Sequence, residues 1–276
     1  MPRNDGNRYR QLIEHIFFDR DFGHYRPGVV KISFTRGDLT RAAAILGIEP
    51  PKNLGDIVYS VRYRTHMPMR IVDTQPDGME WTIDGAGRAQ YCFLLTSINR
   101  IVPNPSLAIV KIPDATPEII SHNALNDEQA LLARIRYNRL IDIFLGIAAY
   151  SLQSHMRTTV PGIGQIEIDE IYVGVDRFGV QYVVPVEAKS GKDQLSAVQA
   201  KQDLACCLDK FPLLRCRTVS AQFMGENRIA LFELIQQDGE IRILDEKHYS
   251  LVPADSISAA DLESHGRRRS GGVGQG

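Results

Sequence analysis

Between Asn7 and Phe18 the apolar residues Leu12, Ile13, Ile16 and Phe17 recur at helical spacing, and VVKISF (29–34) follows as a short strand. A second amphipathic stretch carries Leu39, Ala42, Ala43 and Leu46, with Asp38 placed to cap its start and Gly47 to end it. After the Pro50-Pro51 break, NLGDIVYSVRYR (53–64) sets Leu54, Ile57, Val58 and Val61 on one face. Its other face holds Asp56, Ser60, Arg62 and Arg64, so a third helix capped by Asn53 is predicted. EWTIDGAGRAQYCFLL (80–95) then reads as two strands about the turn Asp84-Gly85-Ala86-Gly87, with Trp81 and Ile83 answered by Tyr91, Phe93 and Leu95. Residues 99–122, broken by Pro103, Pro105, Pro113 and Pro117, read as a connector.

Beyond the connector the pattern predicts a long helix from about Asp127 to Gln153, with Asn126 as cap and Leu131, Leu132, Ile135, Leu140, Ile143 and Phe144 as its buried stripe. Glu128 sits in its first turn, where a carboxylate can simply serve the helix dipole. QIEIDEIYVGV (165–175) alternates as a strand, Asp176-Arg177-Phe178-Gly179 turns, and VQYVVPVEAK returns antiparallel. Counting outward from the turn brings Asp169 and Glu187 within a residue or so of opposition, and opposed side chains stand only about 5 Å apart. Two carboxylates that close repel unless a cation or a proton lies between them; Lys189 lies on the same face as Glu187 by strand alternation. Of the competing acids, Glu170 faces the opposite side and Glu167 lies farther from Glu187 along the hairpin. A helix over DQLSAVQAKQDLACCLDKF (193–211) follows, and the polar run past Ser256 is expected to be disordered, with Arg267 to Arg269 free to meet a phosphate backbone.

Composition bounds these readings. The length of 276 residues fits one large domain or two ordinary ones, and a formal net charge of −1 argues against a nonspecific polycation while leaving room for local basic patches. The longest apolar stretch, Leu140 to Tyr150, contains Asp142 and is too short to cross a bilayer, and MPRNDGNRYRQ lacks the apolar segment of a signal peptide. Cys92, Cys206, Cys207 and Cys216 have no zinc-finger spacing, which favours reduced thiols and a cytoplasmic location. SGKD (190–193) lacks the earlier glycine and the final Ser or Thr of a phosphate loop; neither a paired-histidine zinc motif nor a Gly-x-Ser-x-Gly elbow is present.

The order helix, strand, helix, helix, hairpin over about residues 7–98 resembles a winged helix-turn-helix domain. That resemblance implies that NLGDIVYSVRYR is a recognition helix contacting double-stranded DNA through Asn53, Ser60, Arg62 and Arg64, with Arg88 reaching phosphate from the wing. A solvated basic surface on a protein-binding module is the alternative. The set Asp169, Glu187 and Lys189, with Glu128 on the preceding helix, resembles the active site of the PD-(D/E)xK nuclease superfamily over about residues 123–235. Asp169 follows Ile168 rather than Pro, so the PD dipeptide itself is absent. The resemblance implies a catalytic role for these four residues and a Mg²⁺ site, open to Mn²⁺, formed by Asp169, Glu187 and Ala188; the next helix, which follows the third strand in that fold, would place Gln199 and Asp203 near the site, with Gln199 facing DNA. The expected architecture is α/β (α+β): a winged helix at 1–98, a linker at 99–122, a mixed-sheet nuclease core at 123–255 and a tail at 256–276. It implies a type II restriction-like endonuclease acting as a homodimer, against a repair or junction nuclease of the same superfamily or a regulator with a non-catalytic nuclease fold.

Overall fold

The computed structural model describes residues 5–87, 89–97, 100–123, 128–190, 195–225 and 227–270; the side chains of residues 5–7, 63, 64 and 266–270 fall outside that description. The amino-terminal part runs α1 (Asp5–Phe18), β1 (Lys31–Thr35), α2 (Arg36–Leu46), α3 (Gly55–Tyr59), α4 (Met69–Val72), β2 (Glu80–Gly87) and β3 (Gln90–Thr96). Its strands form an antiparallel sheet in the order β1-β3-β2. The predicted apolar stripes close one core in which Leu12, Ile16 and Phe17 meet Leu39, Ile57, Trp81 and Phe93.

Local chemistry moves several predicted boundaries. Thr35, not Asp38, caps α2: the Thr35 hydroxyl accepts from the Asp38 amide while the Asp38 carboxylate accepts from the Thr35 amide, a capping box. Gly47 ends the helix at φ 64, a left-handed conformation that costs glycine little. The expected twelve-residue recognition helix is shorter, because after Tyr59 the chain widens into a π-helical turn over Ser60–Arg64. Strand β2 continues through the expected turn at 84–87, with its register shifting between Gly85 and Gly87, so the chain reverses farther on.

The segment expected to be a linker is built into the second half. It supplies β4 (Arg100–Ile101), β5 (Ile109–Pro113) and α5 (Glu118–Asn123). The remaining elements are α6 (Glu128–Tyr137), α7 (Leu140–Leu145), β6 (Ala148–Val160), β7 (Gly164–Val175), β8 (Gln181–Lys189), β9 (Leu195–Ser196) and α8 (Ala197–Lys210), then β10 (Arg215–Cys216), β11 (Thr218–Gly225), β12 (Arg228–Gln237), β13 (Glu240–Val252) and α9 (Ala259–Ser270). The predicted long helix is thus two helices and the start of a strand. It breaks at Arg139, which adopts φ 51. Just before it, the buried Asn138 amide turns away to bond the Ala115 amide, Thr116 and the Arg134 carbonyl. The tail expected to be disordered is helical from Ala259 to Ser270 and is tied back by an ion pair between Lys111 and Asp261. Residues 271–276 lie outside the described residues.

The large sheet has the order β5-β13-β12-β11-β8-β7-β6, with β10 also on β8. Its β6-β7-β8 and β11-β12-β13 sections are antiparallel, while β8 with β11 and β13 with β5 are parallel. Alternation along β8 explains its two covers. Val184, Val186 and Ala188 join the core under α6 and α7, whereas Val183 packs with Cys206 and Cys207 of α8. The two halves touch through the hairpin of the first: Gln202 Nε2 donates to Asp84 Oδ1 at 3.0 Å. A Cβ on Gly85 would stand 3.0 Å from the Ile163 carbonyl oxygen, so a glycine there lets the two backbones approach.

Candidate active site

Strand β8 is apolar and buried from Val183 to Val186 and then continues directly into Glu187, which is 2% exposed. The register that pairs Glu170 with Val186 brings Asp169 level with Glu187, as the count from the turn predicts. The ladder ends there. The next amide, that of Ala188, is satisfied by a side chain instead, donating to Asp169 Oδ2 at 2.9 Å. Because the N–H and C=O of one strand residue face the same edge, the Ala188 carbonyl is turned toward the Asp169 side as well. The Lys189 ammonium, on a side chain 15% exposed, bonds and pairs with the Glu187 carboxylate.

Burial in this apolar strand dominates the electrostatics. It pushes the Glu187 carboxyl up to about 8, against the pull of Lys189 and with a further push from Asp169. A fourth charged group takes part. Asp203 of α8, 1% exposed, is held well above the ordinary carboxylate range by burial first and then by Glu187 and Asp169. Among the described residues, Glu187 Oε2 and both carboxylate oxygens of Asp203 are buried with no donor side chain or amide bonded to them. Such atoms are costly unless something arrives to use them.

Glu128 also reaches this end of β8. Its Oε1 accepts from the Ser190 amide at 3.3 Å and from the Ser190 hydroxyl at 3.2 Å, so the first turn of α6 is anchored to the residue after Lys189. On the other side, β11 runs parallel to β8 and sets Ser220 beside Glu187 and Gln222 beside Lys189, both buried. Gln222 Nε2 donates to the Lys189 carbonyl at 3.4 Å. Glu170 belongs to the opposite face, as alternation requires: it is fully buried, paired with Arg136 and bonded by Ser151. Glu167 is exposed beside Arg157.

Asp203 lies at this site, where the resemblance expected the helix after the third strand to bring it, and Ser220 and Gln222 are polar residues of the same face that the motif did not single out. Each carries a legible signal. Asp203 occupies a position in the apolar stripe Ala200, Cys206, Cys207 where a hydrophobe ordinarily sits, and Ser220 and Gln222 alternate with Val219 and Ala221 on a central strand. Gln199 lies one turn before Asp203 on α8, half-buried.

Among the described residues, no three His, Cys, Asp or Glu side chains stand in a ready metal-holding arrangement. The expected Mg²⁺ set is of another composition, two carboxylates and a backbone carbonyl. Its chemistry fits: hard oxygen donors suit Mg²⁺, and a partnerless, buried Glu187 oxygen beside Asp169 is a natural cation ligand. In the present arrangement Lys189 supplies the positive charge there.

The residues expected to touch DNA are less uniform. Asn53 is exposed, but its amide is engaged locally, accepting from the Gly55 amide and Arg36 and donating to Asp56; Leu54 rather than Asn53 takes the cap position of α3. Ser60 is half-buried, its carbonyl accepting from the Thr65 amide. Arg62 does not project from the outer face; its Nε donates to the Ile83 carbonyl of β2. The side chain of Arg64 and all of Arg88 lie outside the described residues. No described helix is long and apolar enough to cross a membrane. No family model and no curated protein matches this chain.

Proposed function

We propose that the chain is a metal-dependent endonuclease that hydrolyses phosphodiester bonds of double-stranded DNA in the manner of a type II restriction enzyme. The observation that carries this reading is the convergence of Asp169, Glu187 and Lys189 at one buried strand end, with Glu128 bonded to the residue that follows. The order α6, α7, β6, β7, β8, α8, with β11 then parallel to β8, supports the resemblance to the PD-(D/E)xK superfamily.

A phosphodiester is shielded by its own negative charge, and a bound Mg²⁺ or Mn²⁺ supplies the charge neutralisation that lets water attack phosphorus in line. Asp169, Glu187 and the Ala188 carbonyl would hold the cation. The Ala188 amide keeps the Asp169 carboxylate oriented for that task. With a cation drawing the Glu187 carboxylate, Lys189 would lose its ion-pair partner at the site's edge. As an ammonium it would orient the attacking water, and only after giving up its own proton, which a nearby cation and burial favour, could its neutral amine accept one from that water. Glu128 fixes the strand end through Ser190, so the position of Lys189 depends on α6.

Sequence reading belongs, in this proposal, to the amino-terminal part. The sheet order β1-β3-β2 with α2 and α3 beside it supports a winged helix, whose reading surface would be α3 and the Ser60–Arg64 turn. Arg62 acts from inside, holding that turn to β2. A double-strand break needs two such sites related by a two-fold axis, so the active species is a homodimer.

The test is cleavage of a supercoiled plasmid of known sequence. Cutting is expected at fixed sites with Mg²⁺ or Mn²⁺ and not in chelator. Lys189→Ala should lose at least about 10²-fold in rate, the scale of a proton-transfer group, while still shifting the DNA in a gel. Undiminished cutting by that variant would overturn the assignment.

A further inference from the structure

Asp203 is unexplained by the reading above. An aspartate in the buried stripe of α8, between Ala200 and Cys206, takes the place of a core hydrophobe. Both of its oxygens are buried, and among the described residues neither has a hydrogen-bond partner. A merely structural aspartate at such depth would be bonded to a backbone amide, a hydroxyl or a basic side chain. Instead α8 packs on β8 and presents this carboxylate to Glu187 and Asp169, the two acids it feels most strongly. Glu187 Oε2 is partnerless on the same side of the sheet.

Resting on the nuclease reading, we propose that Asp203 is a third carboxylate of the cation site, seated behind Asp169 and Glu187, where its two oxygens accept hydrogen bonds from water that the cation brings with it. Mg²⁺ is suited to this division of labour, because it dehydrates reluctantly and keeps several waters when only one or two carboxylates bind it directly. Asp203 is therefore a positioning residue. Its charge raises the affinity of the site for a divalent cation, and its oxygens fix the orientation of the coordinated water from below. It completes no step of hydrolysis itself.

The inference is tested with Asp203→Asn, which keeps the shape and one acceptor and removes the charge. Mn²⁺ binding, read by electron paramagnetic resonance of the free ion, should weaken about 10- to 100-fold, the range found when a partner behind the direct ligands is lost. The Mn²⁺ concentration that half-activates DNA cleavage should rise by the same factor, while the rate at saturating Mn²⁺ recovers to within a few-fold of the unaltered chain. In chelator the variant should melt no lower than the unaltered chain, which separates lost affinity from lost fold. Unaltered Mn²⁺ affinity in Asp203→Asn, alongside a loss in Glu187→Gln, would overturn the role of Asp203 and leave the nuclease reading standing. Failure of the unaltered chain to bind Mn²⁺ at all would overturn both.

Discussion

Neutralising Glu187 should change how the metal-free protein responds to pH. In the folded chain its carboxyl holds its proton up to about 8, chiefly because burial disfavours the charged form, against an ordinary value of 4.5. A carboxyl that binds its proton more tightly when folded favours folding most below the unfolded value, and that advantage disappears as pH rises through the folded one. The window is therefore pH 4.5 to 8, with stability falling as pH climbs. At about 1.4 kcal/mol per unit, and allowing for the gentler slope at each end, the loss between pH 5 and 8 is on the order of 3–4 kcal/mol. Glu187→Gln has no such proton to lose. Urea unfolding of both proteins in chelator at pH 5, 6, 7 and 8 gives the difference, and it should move in favour of the variant by roughly 3–4 kcal/mol across the range. Glu187 is one of the charges that hold the Asp203 proton, so Glu187→Gln also eases Asp203 and the difference reports the two buried acids together; the carboxyls held low, such as Asp38 and Asp114, release their protons below the window. A difference that stays constant from pH 5 to 8 would refute the claim that Glu187 is a buried acid awaiting a cation.

On the other face of the hairpin, Arg136→Ala should cost about 3 kcal/mol or more in urea unfolding, because it takes away the cation paired with the fully buried Glu170 carboxylate and leaves it to the hydroxyls of Ser151 and Tyr172. Glu170→Gln should cost only about 1 kcal/mol, since the half-exposed Arg136 can turn to water; the reverse ranking would show that Glu170 is not charged there. Sedimentation of the chain with its cognate duplex in Ca²⁺ should give two chains per duplex, and a single chain per duplex would overturn the homodimer.

The hairpin carrying Asp169, Glu187 and Lys189 was legible because its signals are short-range: period-two alternation, a four-residue turn and a register that follows by counting. The cap of α2 was misplaced by three residues because Thr35 and Asp38 bond each other reciprocally, and either alone reads as a cap. The long helix over 127–153 was over-extended for a different reason. Its stripe through Leu140 and Phe144 is real, but the break at Asn138 and Arg139 serves a buried amide network with residues 114–116 that has no signature at helical spacing. Asp203 in QAKQDLACC could be placed near the site by the resemblance, but that it is buried and faces Glu187 and Asp169 follows only from the packing of α8 on β8. The place of residues 99–122 was the least legible, since proline-rich composition says nothing about a strand added at the far edge of a sheet.

That added strand has a consequence for synthesis on the ribosome. Ile109 pairs with His248, so the outer edge of the sheet joins residues 139 positions apart in the chain. At about 5–20 residues per second, β5 waits roughly 7–28 s after it is made before β13 exists to receive it. The amino-terminal core, complete by Thr96, can close during that interval. The larger sheet cannot, and the emerging strand must stay solvated until nearly the whole chain is made. Prolines at 103, 105 and 113, which weaken pairing with stray strand edges, keep this waiting segment from premature partners.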